Sequence, residues 1–127
     1  LKIDEAVRLT RDSLTLWGTG TPLREFLHVD DLADALLLLL ERYSDESHIN
    51  IGSGEELSIK DLAGMIAEIC NYQGQIVFDV SMPDGAPRKI LDSAGIRALG
   101  WSPDIQFRQG LEDCIALYRA RVQSDAA

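Results

Sequence analysis

Basic residues are scarce in this chain. Twelve Lys and Arg stand against 21 Asp and Glu, a formal net charge of −9 over 127 residues. This excess argues against nucleic acid as a partner, because a phosphate backbone is bound by basic patches. Histidine is scarcer still: His28 and His48 are isolated, without the Cys/His spacing of a metal site. Cysteine is limited to Cys70 and Cys114, each on the apolar face of a predicted helix, where each reads as a buried structural thiol. The apolar run Ala35 to Leu40 falls far short of the about 20 residues of a membrane span. With no signal peptide read either, the expectation is a cytoplasmic protein with no membrane partner. Close glycine pairs occur as Gly18-x-Gly20 and Gly52-x-Gly54. Neither gains the third glycine of a dinucleotide-binding turn, so both read as turn glycines. Tyr43, Tyr72 and Tyr118 are followed four residues later by Ser47, Ile76 and Val122, so no Tyr-x-x-x-Lys pair exists. No bound cofactor and no catalytic residue are expected within the chain.

What is present suits one globular domain, residues 1–127, long enough to bury a core. The first residue is Leu1, and residues 2–9 already read as the middle of a helix, as in a piece of a longer polypeptide. That helix is expected to end near Asp12-Ser13. Leu14-Thr15-Leu16-Trp17 and Glu25-Phe26-Leu27-His28-Val29 read as a hairpin-like pair of strands around the turn Gly18-Thr19-Gly20-Thr21-Pro22. Asp30 or Asp31 is expected to cap a helix to about Tyr43. Its Leu36 to Leu40 stretch is apolar on every face, which predicts a helix covered on both sides, by another domain or a second subunit. Residues 47–52 read as a strand. Ser58-Ile59-Lys60-Asp61 opens a helix like a capping box, with Ile59, Leu62, Ala63, Ile66, Ile69 and Cys70 at helical spacing and Gly74 closing it. A strand over 75–80 precedes the Pro/Gly loop 82–88, then a short helix from Ser93 to Leu99. A last amphipathic helix carries Phe107, Leu111, Ile115, Tyr118 and Val122, with fraying expected from Ser124 to Ala127. The fold class is α/β, with strands too few and short for an independent doubly wound sheet; a small lobe packed on a larger domain fits that pattern.

Two segments join a tight turn to cationic side chains, as a loop gripping a diphosphate requires: Trp17 through Asp31, and Pro83-Asp84-Gly85-Ala86-Pro87-Arg88-Lys89. Arg24 follows the first turn, and its planar guanidinium suits a bridging diphosphate; a surface Arg paired with Glu25 is the other reading. Trp17 either walls a sugar or base, or belongs to the core. Asp84 beside Arg88 and Lys89 either holds ribose hydroxyls and phosphate together, or lies in a plain solvated loop.

The same residues carry a resemblance. Gly18-Thr19-Gly20 through Arg24-Glu25-Phe26 to Val29-Asp30-Asp31 resembles the substrate lobe of extended short-chain dehydrogenases acting on nucleotide sugars. The Pro83 to Lys89 loop, with Trp17 and the 48–52 segment, is similar to the narrower group of GDP-L-fucose synthases over nearly all 127 residues. The resemblance implies the C-terminal, GDP-sugar-binding part of an NADP(H)-dependent enzyme. The whole enzyme epimerises GDP-4-keto-6-deoxy-mannose at C3 and C5 and reduces C4. By this resemblance Lys2, Trp17, Arg24, Asp84 and Lys89 match substrate-contacting positions, the diphosphate going first to Arg24. It further implies that the catalytic residues and NADP(H) belong to an N-terminal Rossmann domain absent from this sequence, that the full-length protein is a homodimer, and that this chain alone is inactive. Cys70, Cys114, His28 and His48 are not assigned catalytic roles. Two other readings stand beside it: an epimerase or dehydratase of UDP- or dTDP-sugars, and a non-catalytic nucleotide-sugar-binding module.

Overall fold

Residues 2–124 are described by a computed structural model. They form five helices and five short strands: α1 Lys2–Arg8, β1 Ser13–Trp17, β2 Leu23–Glu25, α2 Val29–Arg42, β3 Glu56–Ser58, α3 Ile59–Cys70, β4 Gln75–Asp79, β5 Arg88–Lys89, α4 Ala94–Ala98 and α5 Phe107–Ser124. Ser124 is helical, and the rest of the end expected to fray lies outside the described residues.

The expected hairpin does not form. Instead β1 pairs in parallel with β4, Ser13 opposite Gln75 through Trp17 opposite Asp79. A separate three-stranded sheet runs β3-β2-β5, with β2 antiparallel to β3 and parallel to β5. The physical reason lies in the turn: Gly18 and Gly20 both hold positive φ (79° and 76°), and the chain leaves β1's sheet before β2 begins. The 47–52 segment belongs to neither sheet; Ile49 and Ile51 pack on the core while Asn50 donates to the Asp92 carbonyl.

Two cores hold the elements together. In the first, Ile3 and Ala6 of α1, Leu14 of β1 and Cys70 of α3 are buried together, with Ile76 of β4 and Ile115 of α5 packed on them. Beside this core the buried Asp4 accepts from Arg119 (2.7 Å) and Arg8 (3.2 Å), tying α1 to α5. In the second core Ala35 of α2, Ile96 of α4 and Trp101 are buried under Leu27, Leu38 and Leu39.

Helix ends follow local chemistry, not always where the pattern alone puts them. Ser58 caps α3 as expected, accepting from the Asp61 amide and donating to its carboxylate. The closing residue is Asn71, in the left-handed region at φ 55°, rather than Gly74. For α2 the cap is His28, whose Nδ1 accepts from the Asp30 amide. Asp31 turns inward and accepts from the amides of Asp104 and Ile105, fixing the approach to α5. Asp30 and Asp31 therefore lie in the first turn, where carboxylates favour the helix dipole. The α5 stripe from Phe107 to Val122 is half-buried throughout, whereas Cys114 is exposed, contrary to the expected buried thiol.

α2 is covered on one side only. Val29, Leu32, Leu36, Leu37 and Leu40 form an exposed apolar stripe, Leu40 at 83%. Removing Ile96 side-chain volume from the second core (Ile96→Ala) is expected to cost about 3 kcal/mol in urea unfolding. Leu40→Ala should cost less than about 0.5 kcal/mol. Equal costs would mean that the stripe is covered in solution.

Candidate functional site

The parallel pairing of β2 with β5 places Arg24 directly opposite Lys89. Paired residues in parallel strands point to one face, about 4.8 Å apart at Cα, so two cationic side chains leave the sheet together. Arg24 Nη1 donates to the Leu23 carbonyl (2.6 Å), and its remaining guanidinium N–H groups have no hydrogen-bond partner among the described residues. Glu25 does not pair with Arg24. Its carboxylate accepts from the Gly54 amide (2.6 Å) and the Leu91 amide (3.0 Å). It thus staples the loop before β3 and the segment after β5 onto β2, fixing the Arg24–Lys89 register.

Loop 82–87 lies over the β1–β2 turn. Asp84 accepts from the Thr19 amide (2.8 Å) and hydroxyl (2.7 Å). These two bonds hold its carboxyl below the usual carboxylate range, the hydroxyl contributing most. A Cβ at Gly18 would overlap Asp84 Oδ1, and one at Gly85 would sit 3.1 Å from Arg24 Nη2. Loop residues 84 and 85 therefore bridge the Trp17–Gly18 end of β1 to Arg24. Trp17 itself is 68% exposed rather than in the core, and Lys2 Nζ stands 5.7 Å from its ring centroid. Trp101 takes the core position.

Lys2, Trp17, Arg24, Asp84 and Lys89 thus fall along one edge of the molecule, joined by the turn and the loop. Arg88 leaves the group: it pairs with Glu56 of β3 through Nε and Nη2, which holds the Glu56 carboxyl below the usual carboxylate range and pushes the Arg88 guanidinium up. Lys2, Arg24 and Lys89 take part in no ion pair among the described residues. Sequence reasoning missed Thr19, Glu25 and Glu56 as the residues that organise this edge. A carboxylate next to Arg24 in a three-residue strand was the available signal for Glu25; the other two act across long loops.

A second concavity adjoins the same sheet, where its lining residue Leu57 pairs with Arg24. A cavity of about 570 Å³ opens between Phe26 to Val29, β3 and the start of α5, lined chiefly by Phe26, Leu57, Met65, Phe107 and Leu111. Two of its three acids are already occupied, Asp31 by backbone amides and Glu56 by Arg88. The glycine pairs offer no cradle for a dinucleotide. Added Cβ atoms would run into Asp84 at Gly18, Phe78 at Gly20, Glu25 at Gly52 and Arg97 at Gly54, so the space over these glycines is already filled by this chain's own side chains, and the residues present do not fit NADP(H).

Residues 2–52 match the NAD dependent epimerase/dehydratase family. The chain is 46% identical over 123 residues to a probable GDP-L-fucose synthase 1 of Oryza sativa subsp. japonica, covering 97% of this chain and 38% of that protein. It is 41% identical over 119 residues to the GDP-L-fucose synthase of Escherichia coli K12, covering 87% and 37%. A solved GDP-L-fucose synthetase of Naegleria fowleri bound to NADP superposes with a TM-score of 0.88 at 27% identity, over 96% of this chain and 39% of that one. The chain therefore spans well under half the length of the relatives it matches. By sequence and by fold the chain is therefore similar, over nearly all of its length, to one part of the GDP-L-fucose synthases.

Proposed function

We propose that this chain is the GDP-sugar-binding, C-terminal part of a GDP-L-fucose synthase, and that the edge carrying Trp17, Arg24 and Lys89 receives the nucleotide sugar. The observation that carries the reading is the Arg24–Lys89 pairing on a chain of net charge −9. Long-range electrostatics oppose an anionic ligand here, so a diphosphate must be held by local cations, and these two project together without acidic partners. Trp17, exposed beside them, supplies an aromatic wall for a base or sugar, and Lys2 over its ring adds a further cation. These residues bind and orient; they neither abstract protons nor carry hydride. Their contribution is to hold C3, C5 and the C4 ketone of a GDP-4-keto-6-deoxy-mannose against groups outside this sequence. The epimerising acid and base, the reducing machinery and NADP(H), which supplies the hydride, belong to the remainder of the protein, a Rossmann domain N-terminal to this lobe.

That remainder is also the proposed cover for α2. The apolar stripe from Val29 to Leu40 is exposed and lacks the partner its composition calls for. The full-length protein is proposed to be a homodimer whose contacts lie mainly outside this lobe. The free thiols Cys70 and Cys114 suit a reducing compartment, the cytoplasm.

Titration calorimetry with GDP, and with UDP as the comparison nucleotide, tests the site. Arg24→Ala should weaken GDP binding by about 2–4 kcal/mol, roughly 30- to 1,000-fold, with the circular dichroism spectrum unchanged. Unaltered affinity would make Arg24 a surface residue, and preference for UDP would move the chain to the UDP-sugar enzymes. NADPH consumption with the keto-sugar by these 127 residues alone would sink the division of labour. For the stripe, Leu36→Lys in the longer protein should lower both its melting temperature and its turnover. A variant indistinguishable from wild type would show that no domain covers α2.

A further inference from the structure

Asp84 occupies an unusual place for a substrate-contacting carboxylate. It is an anion on the edge read as a diphosphate site, and an anion facing a diphosphate repels it. Both of its oxygens are turned instead to Thr19, one accepting from the backbone amide and the other from the hydroxyl. The hydroxyl is held in turn by its neighbourhood: Thr19 Oγ1 lies 2.7 Å from Thr21 Oγ1 and accepts from the Thr21 amide at 3.2 Å. Between Met82, which bonds back to the Asp79 carbonyl, and Pro87, whose carbonyl accepts from Leu23, the Thr19 bonds are the hydrogen bonds among the described residues that attach the loop to the rest of the protein. The attachment has been given room. Gly18 is tightly covered by the Asp84 carboxylate, and Gly85, the next loop residue, passes 3.1 Å from the Arg24 guanidinium measured to an added Cβ. Any larger residue at 85 would crowd the cation.

We propose that Thr19 is a positioning residue of the diphosphate site and Asp84 its clasp partner, the pair holding loop 82–87 over the β1–β2 turn so that Arg24 and Lys89 face one anion. This rests on the diphosphate reading of the Arg24–Lys89 edge. Asp84 then contacts Thr19 rather than ribose, and its charge is directed away from the phosphates. The sign of the pH effect follows from the lowered Asp84 carboxyl: the clasp is fully present above the ordinary value of 3.8 and is lost as pH falls through the lowered one, so it persists across neutral pH.

Two probes separate a clasp from a ribose contact: GDP, and inorganic pyrophosphate, which has no ribose. Thr19 is exposed, so its substitution spares the core. Thr19→Val should weaken both ligands by the same factor, about 3- to 10-fold for one lost hydrogen bond, and Thr19→Ser should restore both. Asp84→Asn should likewise weaken both, and the Asp84 carboxyl titration followed by carbon NMR should move up toward 3.8 in Thr19→Val. Loss of GDP affinity alone in Asp84→Asn would make Asp84 a ribose contact and overturn the proposal. So would wild-type affinity in Thr19→Val, or failure of Thr19→Ser to rescue. Arg24→Ala run in parallel marks the other failure: if it binds both probes as wild type does, the diphosphate reading itself is wrong and the clasp falls with it.

Discussion

The Glu25 carboxylate is the constraint on which the rest of the candidate site depends. It accepts from Gly54 and Leu91, one amide before β3 and one after β5, so a single side chain in the middle strand pins both neighbours of a sheet whose strands are two or three residues long. Strands that short contribute few ladder bonds and are marginal alone. Charge-assisted bonds from a carboxylate to backbone amides are about twice as strong as neutral ones, and here they stand in for the missing ladder. Gly52 completes the arrangement, since a Cβ there would occupy the carboxylate's position. Without Glu25 the β5 strand would keep its short ladder to β2 and the Arg88–Glu56 pair but lose the bond that fixes the chain just after Lys89.

Charge is then distributed by pairing rather than by composition. The chain carries nine more negative than positive residues, yet its acids near the site are occupied: Glu25 by amides, Glu56 by Arg88, Asp84 by Thr19. Each of those contacts turns a carboxylate away from the edge where Lys2, Arg24 and Lys89 stand. An acidic protein presents a locally cationic surface in this way, and the tightly turned Gly18 and Gly20 bring the loop carrying Asp84 close enough to do it.

How much of this was legible in the sequence depends on the range of the interaction. Helices were legible because their period is local: the α3 face from Ile59 to Cys70 and the α5 stripe from Phe107 to Val122 both fall where the spacing put them. Ser58 as a cap was legible for the same reason. Strand partners were not. β1 pairs with a strand about sixty residues away, and β3 and β5 are too short to show alternation, so the hairpin expected from adjacency gave way to two separate sheets. The cation-bearing residues were picked out by residue type at turns. Their grouping came from Glu25, Thr19 and Glu56, whose partners lie 29 to 66 residues off in the chain. Cys114 was misplaced because it sits just off the α5 stripe, where helical spacing alone does not separate half-buried from exposed.

Two exposed apolar features remain, and their surroundings assign them different work. Trp17 stands alone, with a cation over its ring and a hydrogen-bonded polar loop beside it; an isolated aromatic in polar company suits a small ligand that stacks on one face and is held by charge at the other. The α2 stripe is continuous over Val29 to Leu40, bordered by Asp30, Asp34 and Glu41, with no cation and no aromatic within it. A surface of branched aliphatic side chains with an acidic margin has nothing to orient a nucleotide sugar, but it is what one half of a divided core looks like. The ligand edge and the packing face are therefore separate, which is why Arg24 can be altered without touching the core and Leu36 without touching the cations.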